Sequence, residues 1–220
     1  MTNTIIPVVT PILPRIINVE NVAFTTILTM LSVILLIGVS MLIGWTLSRV
    51  MKSKGMKTNH TAILSISGVS AIILFARYGL TLTAIQGLFL LFILLYASCS
   101  DLTSHTVDDS LWLMVFALSL ASVTEIGLGS MLLGAFCVFI PQIAMALLPP
   151  HKTLGGADIK LSTALAFLLG GWRGMGAYLV GLILAVIVMS IYNRCTNRCK
   201  KKPFALVPFL SIGAMLMFLI

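Results

Sequence analysis

The chain has 220 residues, 59% hydrophobic and 9% charged, with a mean hydropathy of +1.12 and a formal charge of +8. A soluble domain carries about 25% charged residues, so the composition excludes one and makes the bilayer the solvent. Most of the fourteen Lys and Arg sit in short loops beside apolar runs; there they set topology and meet anionic lipid, and no folded domain remains to bind nucleic acid.

Taken in order, residues 1–21 read as a short non-cytoplasmic tail, because Pro7, Pro11 and Pro14 argue against a spanning helix. Residues 22–220 form the membrane part. The first span is expected over 22–47, followed by Arg49, Lys52, Lys54 and Lys57, a basic loop that belongs in the cytoplasm. Spans two and three fall at about 61–76 and 80–98, joined by Arg77-Tyr78-Gly79. Asp101 then emerges at the boundary, before the polar run 103–109. Span four, 110–124, closes on Glu125 and a Gly127-Leu128-Gly129 turn. Span five, 130–148, contains Pro141, a kink signal. Span six, 158–169, is too short to cross a ~30 Å core alone at ~1.5 Å per residue. It must tilt, thin the bilayer or continue through Gly170-Gly171-Trp172. Span seven, 175–192, precedes a dense basic loop with Arg194, Arg198, Lys200, Lys201 and Lys202. Span eight, 204–220, has Pro208 inside it. The expected fold is an all-α polytopic membrane protein of about eight spans. The basic loops after spans one and seven share a side, so both termini face out. Arg77 and Arg173 are exceptions to the rule.

Asp101 and Asp158 fall on the same, cytoplasmic side. A carboxylate near hydrocarbon is costly without a partner or a task. Two in one low-dielectric cleft cannot comfortably both ionise, and such a pair supplies the base and the acid of aspartic hydrolysis while titrating as a unit. Gly155 and Gly156 leave room beside Asp158 for a tight turn and an extended substrate strand. The plain alternative is that Asp158 caps its helix and Asp101 marks the end of a span. Spacing and composition alone leave both readings open.

Three motifs, in order and within or beyond residues 96–161, carry a resemblance. The run Asp101-Leu102-Thr103-Ser104-His105-Thr106-Val107-Asp108-Asp109 resembles the first aspartate motif of type IV prepilin peptidases, with Asp108 where proline is usual. Gly155-Gly156-Ala157-Asp158-Ile159-Lys160-Leu161 resembles their Gly-x-Gly-Asp-Val-Lys-Leu motif, with Ala157 for the second glycine. The segment from Lys202-Pro203-Phe204 through Pro208-Phe209-Leu210 to Ala214 is similar to their closing segment, with a two-residue difference in spacing. The resemblance covers about 80–220; residues 1–60 match only as a span and a basic loop.

It implies a membrane aspartic endopeptidase of the bacterial inner membrane, with Asp101 and Asp158 catalytic. Such an enzyme cuts the basic leader of type IV prepilins or pseudopilins at the cytoplasmic face, after a glycine. Gly155, Gly156, Ala157, Lys160 and Asp109 are expected to shape the site or hold substrate, although snorkelling is the plainer role for Lys160 and N-capping for Asp109. Asp108 reads as a solvated residue. Cleavage calls for no metal or organic cofactor. S-adenosylmethionine would enter only if the chain also methylates the new N-terminus, and the loop 48–60 lacks the paired cysteines of the larger family members. Two cysteines, Cys195 and Cys199, share the second basic loop. Four ligands would be needed for structural zinc, so they read as free thiols. Gln86 and Gln142 read as interhelical hydrogen-bonding groups. His105 either tunes Asp101 or is a solvated loop residue, and Gly170 and Gly174 straddle a turn, a weak packing signal. Rival readings are a proton-coupled transporter, which would place its acids deeper and often shows internal repeats, a non-catalytic pilus or secretion assembly protein, and a Gly-x-Gly-Asp protease that cuts within a transmembrane helix.

Overall fold

The structure, a computed structural model, describes residues 13–56, 59–147, 155–196 and 205–220. Pro7, Pro11, Lys57, the loop 148–154 and the basic run 197–204 lie outside them. Every regular element among the described residues is helical: α1 (Leu13–Ser53), α2 (His60–Tyr78), α3 (Leu82–Ser104), α4 (Ser110–Ser119), a 3-10 turn (Leu120–Ser122), α5 (Val123–Ile126), α6 (Leu128–Leu147), α7 (Gly156–Leu169), α8 (Gly171–Thr196) and α9 (Val207–Leu219). The protein is an all-α polytopic membrane protein. Among the described residues, five helices are long and apolar enough to cross a bilayer, at Phe24–Ser53, His60–Tyr78, Leu82–Ser104, Leu128–Leu147 and Gly171–Tyr192; Ser110–Ile126 and Val207–Leu219 are shorter apolar segments.

The boundaries follow local chemistry. Helix α1 begins at Leu13, nine residues before the expected span, because Pro14 lies in its first turn, where a missing N–H costs nothing. Asn59 caps α2 by accepting from the Thr61 N–H at 3.3 Å, and Gly79, at φ +64, ends it. Thr81 caps α3 in the same way. This helix runs past the expected end at Ser98 and carries Asp101 within its last turn. Thr103 and Ser104 return their hydroxyls to the carbonyls of Cys99 and Ser100, at 2.7 and 2.8 Å. His105 stops it in the left-handed conformation, φ 52, with its N–H on the Asp101 carbonyl.

Helix α7 is the centre of the bundle, packed against α4, α6, α8 and α9. Ile159, Leu161, Ser162 and all of Ala164 to Leu169 are buried. Its fourteen residues reach only about 21 Å, yet it neither continues through Gly171 nor needs to. Protein rather than lipid surrounds it, and Gly170, at φ +79, turns the chain directly into α8. The lipid-side surface is left to helices such as α1, where Phe24, Ile27, Leu31, Ile34 and Leu35 all stand exposed.

Buried amides tie the helices together, as read from the sequence. Gln86 of α3 donates to the Leu118 carbonyl at 3.0 Å and to Ser122 Oγ at 2.6 Å. Gln142 of α6 donates through Nε2 to Ser162 Oγ of α7 at 2.8 Å. At the far end, Arg77 Nε donates to the Leu219 carbonyl at 3.2 Å and Arg173 to the Ile220 carbonyl at 3.4 Å. These two arginines, exceptions to the charge rule, supply donors and positive charge to the carbonyl end of α9.

Close approach of α6 and α8 to α7 depends on glycine. A Cβ on Gly174 would lie 2.6 Å from the Ala166 carbonyl oxygen, and one on Gly134 2.7 Å from the same atom. Gly174 is therefore a packing residue, against α7 rather than along its own helix. Gly174→Ala is expected to cost about 1–3 kcal/mol, the usual penalty for overpacking, and to lower the thermal midpoint in detergent. Gly129→Ala, with nothing within 4 Å, should leave the midpoint within error of wild type. Equal midpoints for both variants would contradict the packing described.

Candidate active site

The C-terminal end of α3 meets the N-terminal end of α9, and the N-terminal end of α7 brings Asp158 within electrostatic reach of Asp101. Asp101 lies in the last turn of α3 and is 6% exposed. Its Oδ2 accepts the backbone N–H of Val207 at 3.0 Å, and the Leu206 amide is a further backbone partner. Leu206 occupies the N-cap position of α9 with no side-chain cap of its own. Asp101 therefore performs that task from another helix, satisfying orphan amides and facing the positive end of the α9 dipole. The imidazole of His105 is within electrostatic reach of Asp101.

Asp158 is the third residue of α7, not its cap. Gly155 takes the N-cap position, φ −70 and ψ 136, and the Asp158 carboxylate reaches back to the Gly155 amide, as the acidic member of a capping box does. Ser162 Oγ donates to the Asp158 carbonyl at 2.7 Å. Asp101 lies within electrostatic reach of Asp158, although the two are 57 positions apart in the sequence.

The two glycines differ. A Cβ on Gly155 would sit 3.0 Å from Asp158 Oδ2, whereas one on Gly156 would meet nothing within 4 Å. Neither has a positive φ. Gly155 thus allows a close carboxylate approach, and Gly156 leaves an open surface beside it. Ala157 and Asp158 are half-buried, and both glycines are exposed.

Lys160 does not simply snorkel: its Nζ pairs with Asp109 Oδ1 at 2.8 Å. Asp109 occupies the N-cap position of α4 but makes no side-chain cap bond, because its carboxylate turns to Lys160. The pair links the starts of α4 and α7. Asp108 is not merely solvated either. The Tyr96 hydroxyl donates to its Oδ2 at 3.3 Å and accepts from Lys54 Nζ at 2.7 Å. These three side chains line a cavity of about 330 Å3 with Phe92, Ser110 and Leu111. Among the described residues, no three His, Cys, Asp or Glu side chains come together as a metal site.

The sequence did not reveal the Leu206 and Val207 amides as partners of Asp101. A signal was present: Pro208 occupies the first turn of α9, where proline marks a helix start rather than an interruption.

The Lys160–Asp109 pair is half to mostly exposed, 50% and 71%, so Lys160→Met is expected to cost less than about 1 kcal/mol of stability. Thermal unfolding in detergent checks this, and a loss several times larger would mean that the pair holds the α4–α7 junction together.

Residues 88–193 match the type IV leader peptidase family. The matched segment contains both carboxylates and ends before α9. No curated protein and no solved structure matches the chain. Over residues 88–193, a little under half of its length, this membrane protein is thus similar to the type IV leader peptidase family.

Proposed function

We propose that the protein is an aspartic endopeptidase that removes the leader peptide of a type IV prepilin or pseudopilin at the cytoplasmic face of a bacterial inner membrane. The observation that carries this reading is the placement of Asp101 in the last turn of α3 and Asp158 in the first turn of α7, within electrostatic reach, each carboxylate also bonded by a backbone amide. One carboxylate takes a proton from water as its oxygen attacks the scissile carbonyl. The other, protonated, gives its proton to the departing amide nitrogen. Water is consumed, and the pair regains its starting state as the tetrahedral intermediate collapses. The amides of Val207 and Gly155 hold the carboxylates in place through this exchange.

The remaining residues take supporting roles. Gly155 keeps space for Asp158, and the open face at Gly156 and Ala157 accommodates an extended substrate strand. The Lys160–Asp109 pair lies at the entrance between α4 and α7. The substrate's apolar helix remains among the lipid-side spans while its polar leader reaches the helix ends. Hydrolysis by this route requires only the carboxyl pair and water. N-methylation, with S-adenosylmethionine as donor, is not part of the proposed reaction.

Co-expression with type IV prepilins, followed by substrate mass and N-terminal sequencing, tests this directly. Wild type should remove the leader. Asp101→Asn and Asp158→Asn, inserted at wild-type levels, should each lower cleavage by about 10²-fold or more. Cleavage by both variants would make the pair structural and overturn the proposal. Among the glycines, Gly155→Ala should slow cleavage by crowding the Asp158 carboxylate, and Gly156→Ala should slow it less. The reverse order would show that the open face at Gly156, rather than the space at Gly155, limits the reaction.

A further inference from the structure

A second cavity lies where α1 and α2 meet, on residues that the proposed hydrolysis does not use. Its volume is about 550 Å3, and it is lined by Trp45, Arg49, Lys52 and Ser53 of α1 and by His60 and Leu64 of α2. Helical spacing places Trp45, Arg49 and Lys52 along one face of α1, and His60 and Leu64 along one face of α2. Among the described residues, no carboxylate lines it. The Arg49 guanidinium carbon lies over the Trp45 ring, 4.3 Å from its centroid, a cation–π contact that holds the charge at the cavity. His60 is held against α1: its Nδ1 lies 2.7 Å from Ser48 Oγ, whose hydroxyl also reaches the Trp45 carbonyl at 2.8 Å. The imidazole is therefore positioned by the fold.

Where the cavity sits decides what it can take. It occupies the last turns of the apolar span Phe24–Ser53, the depth at which tryptophan and basic side chains meet lipid headgroups. Toward the span's interior, Met41 and Leu42 stand exposed and continue the apolar surface that Trp45 begins. A ligand with an anionic head and apolar tails matches this sequence of surfaces along α1.

We propose that this cavity binds a phosphate ester, the headgroup phosphate of an anionic membrane lipid. Arg49 and Lys52 supply its counter-charges, His60 contacts it from α2, and Trp45 and Leu64 form walls against the glycerol and first acyl carbons. Free inorganic phosphate shares the charged chemistry but leaves the apolar walls unused.

Titration calorimetry on the full chain in neutral detergent tests the assignment with three probes: short-chain phosphatidylglycerol, short-chain phosphatidylcholine and inorganic phosphate. Phosphatidylglycerol should bind the wild type more tightly than either other probe. Arg49→Gln with Lys52→Gln should weaken it by about tenfold or more. The charge-keeping exchange Arg49→Lys with Lys52→Arg should retain most of the affinity, which separates lost charge from lost fold. Arg194→Gln, a basic residue at the end of α8, should bind as wild type does. Unchanged affinity in the double Gln variant, or equal binding of phosphatidylcholine, would overturn the site. Binding of inorganic phosphate as tight as that of phosphatidylglycerol would overturn the lipid assignment and leave a phosphate site.

Discussion

The arrangement depends on one hydrogen bond between distant parts of the chain. The carboxylate of Asp101, in the last turn of α3, accepts the N–H that begins α9. A helix start buried without a partner for its amides would be costly, and so would a buried carboxylate without a donor. Each resolves the other's deficit. The bond sets the depth of α9 against α3, where Ser98 and Ser211 share a further hydrogen bond at 2.9 Å. It also holds Asp101 at the end of the bundle from which α7 departs. There, Asp158 is turned back on the Gly155 amide and feels the charge of Asp101. A carboxylate pair with both members fixed by main-chain donors is suited to pass a proton without rearranging.

Helix α7 gives this end its rigidity. Because it is enclosed by protein, its length is free of the constraint that a lipid-facing helix must meet. Its short reach places Asp158 near the bundle's end, and the glycines of α6 and α8 let both neighbours approach its backbone. The opposite end is closed by Arg77 and Arg173 on the last carbonyls of α9. Helix α9 is thus held at both ends by charged side chains of other helices.

Much of this was legible in the sequence. Hydropathy located the apolar segments, and the turn glycines Gly79, Gly127 and Gly170 all took positive φ. Gln86 and Gln142 bridge helices as uncharged polar groups in spans must. The two acids and their motifs identified the candidate pair. What escaped was information that only tertiary contacts hold. Asp101 was placed after its helix because polar residues follow it; Thr103 and Ser104 in fact extend the helix by bonding back to its carbonyls. Asp158 was weighed as a cap, but Gly155 precedes the helix and leaves the acid free to reach back. Asp108 read as a solvated residue, Asp109 as an N-cap or site-shaping group and Lys160 as a snorkelling or site-shaping one, since no spacing rule announces their partners in pairs such as Tyr96 with Lys54, 42 residues apart, or Lys160 with Asp109, 51 apart. The tail over 1–12 and the closing-segment residues 202–204 fall outside the described chain.

The proposed reaction requires the ends of α3 and α7 to bring these two carboxylates together in the membrane. Cross-linking tests it most directly. In a chain with Cys99, Cys137, Cys195 and Cys199 replaced by serine, Asp101→Cys is combined with Asp158→Cys, and native membranes are treated with a short bifunctional thiol reagent. A linked pair of peptides, identified by mass, is the predicted result. A companion pairing of Asp101→Cys with Glu125→Cys, on α5 beyond the far end of α4, should give none. Absence of the 101–158 link, with both thiols reactive singly, would contradict the account, because the two acids would then belong to separate surfaces.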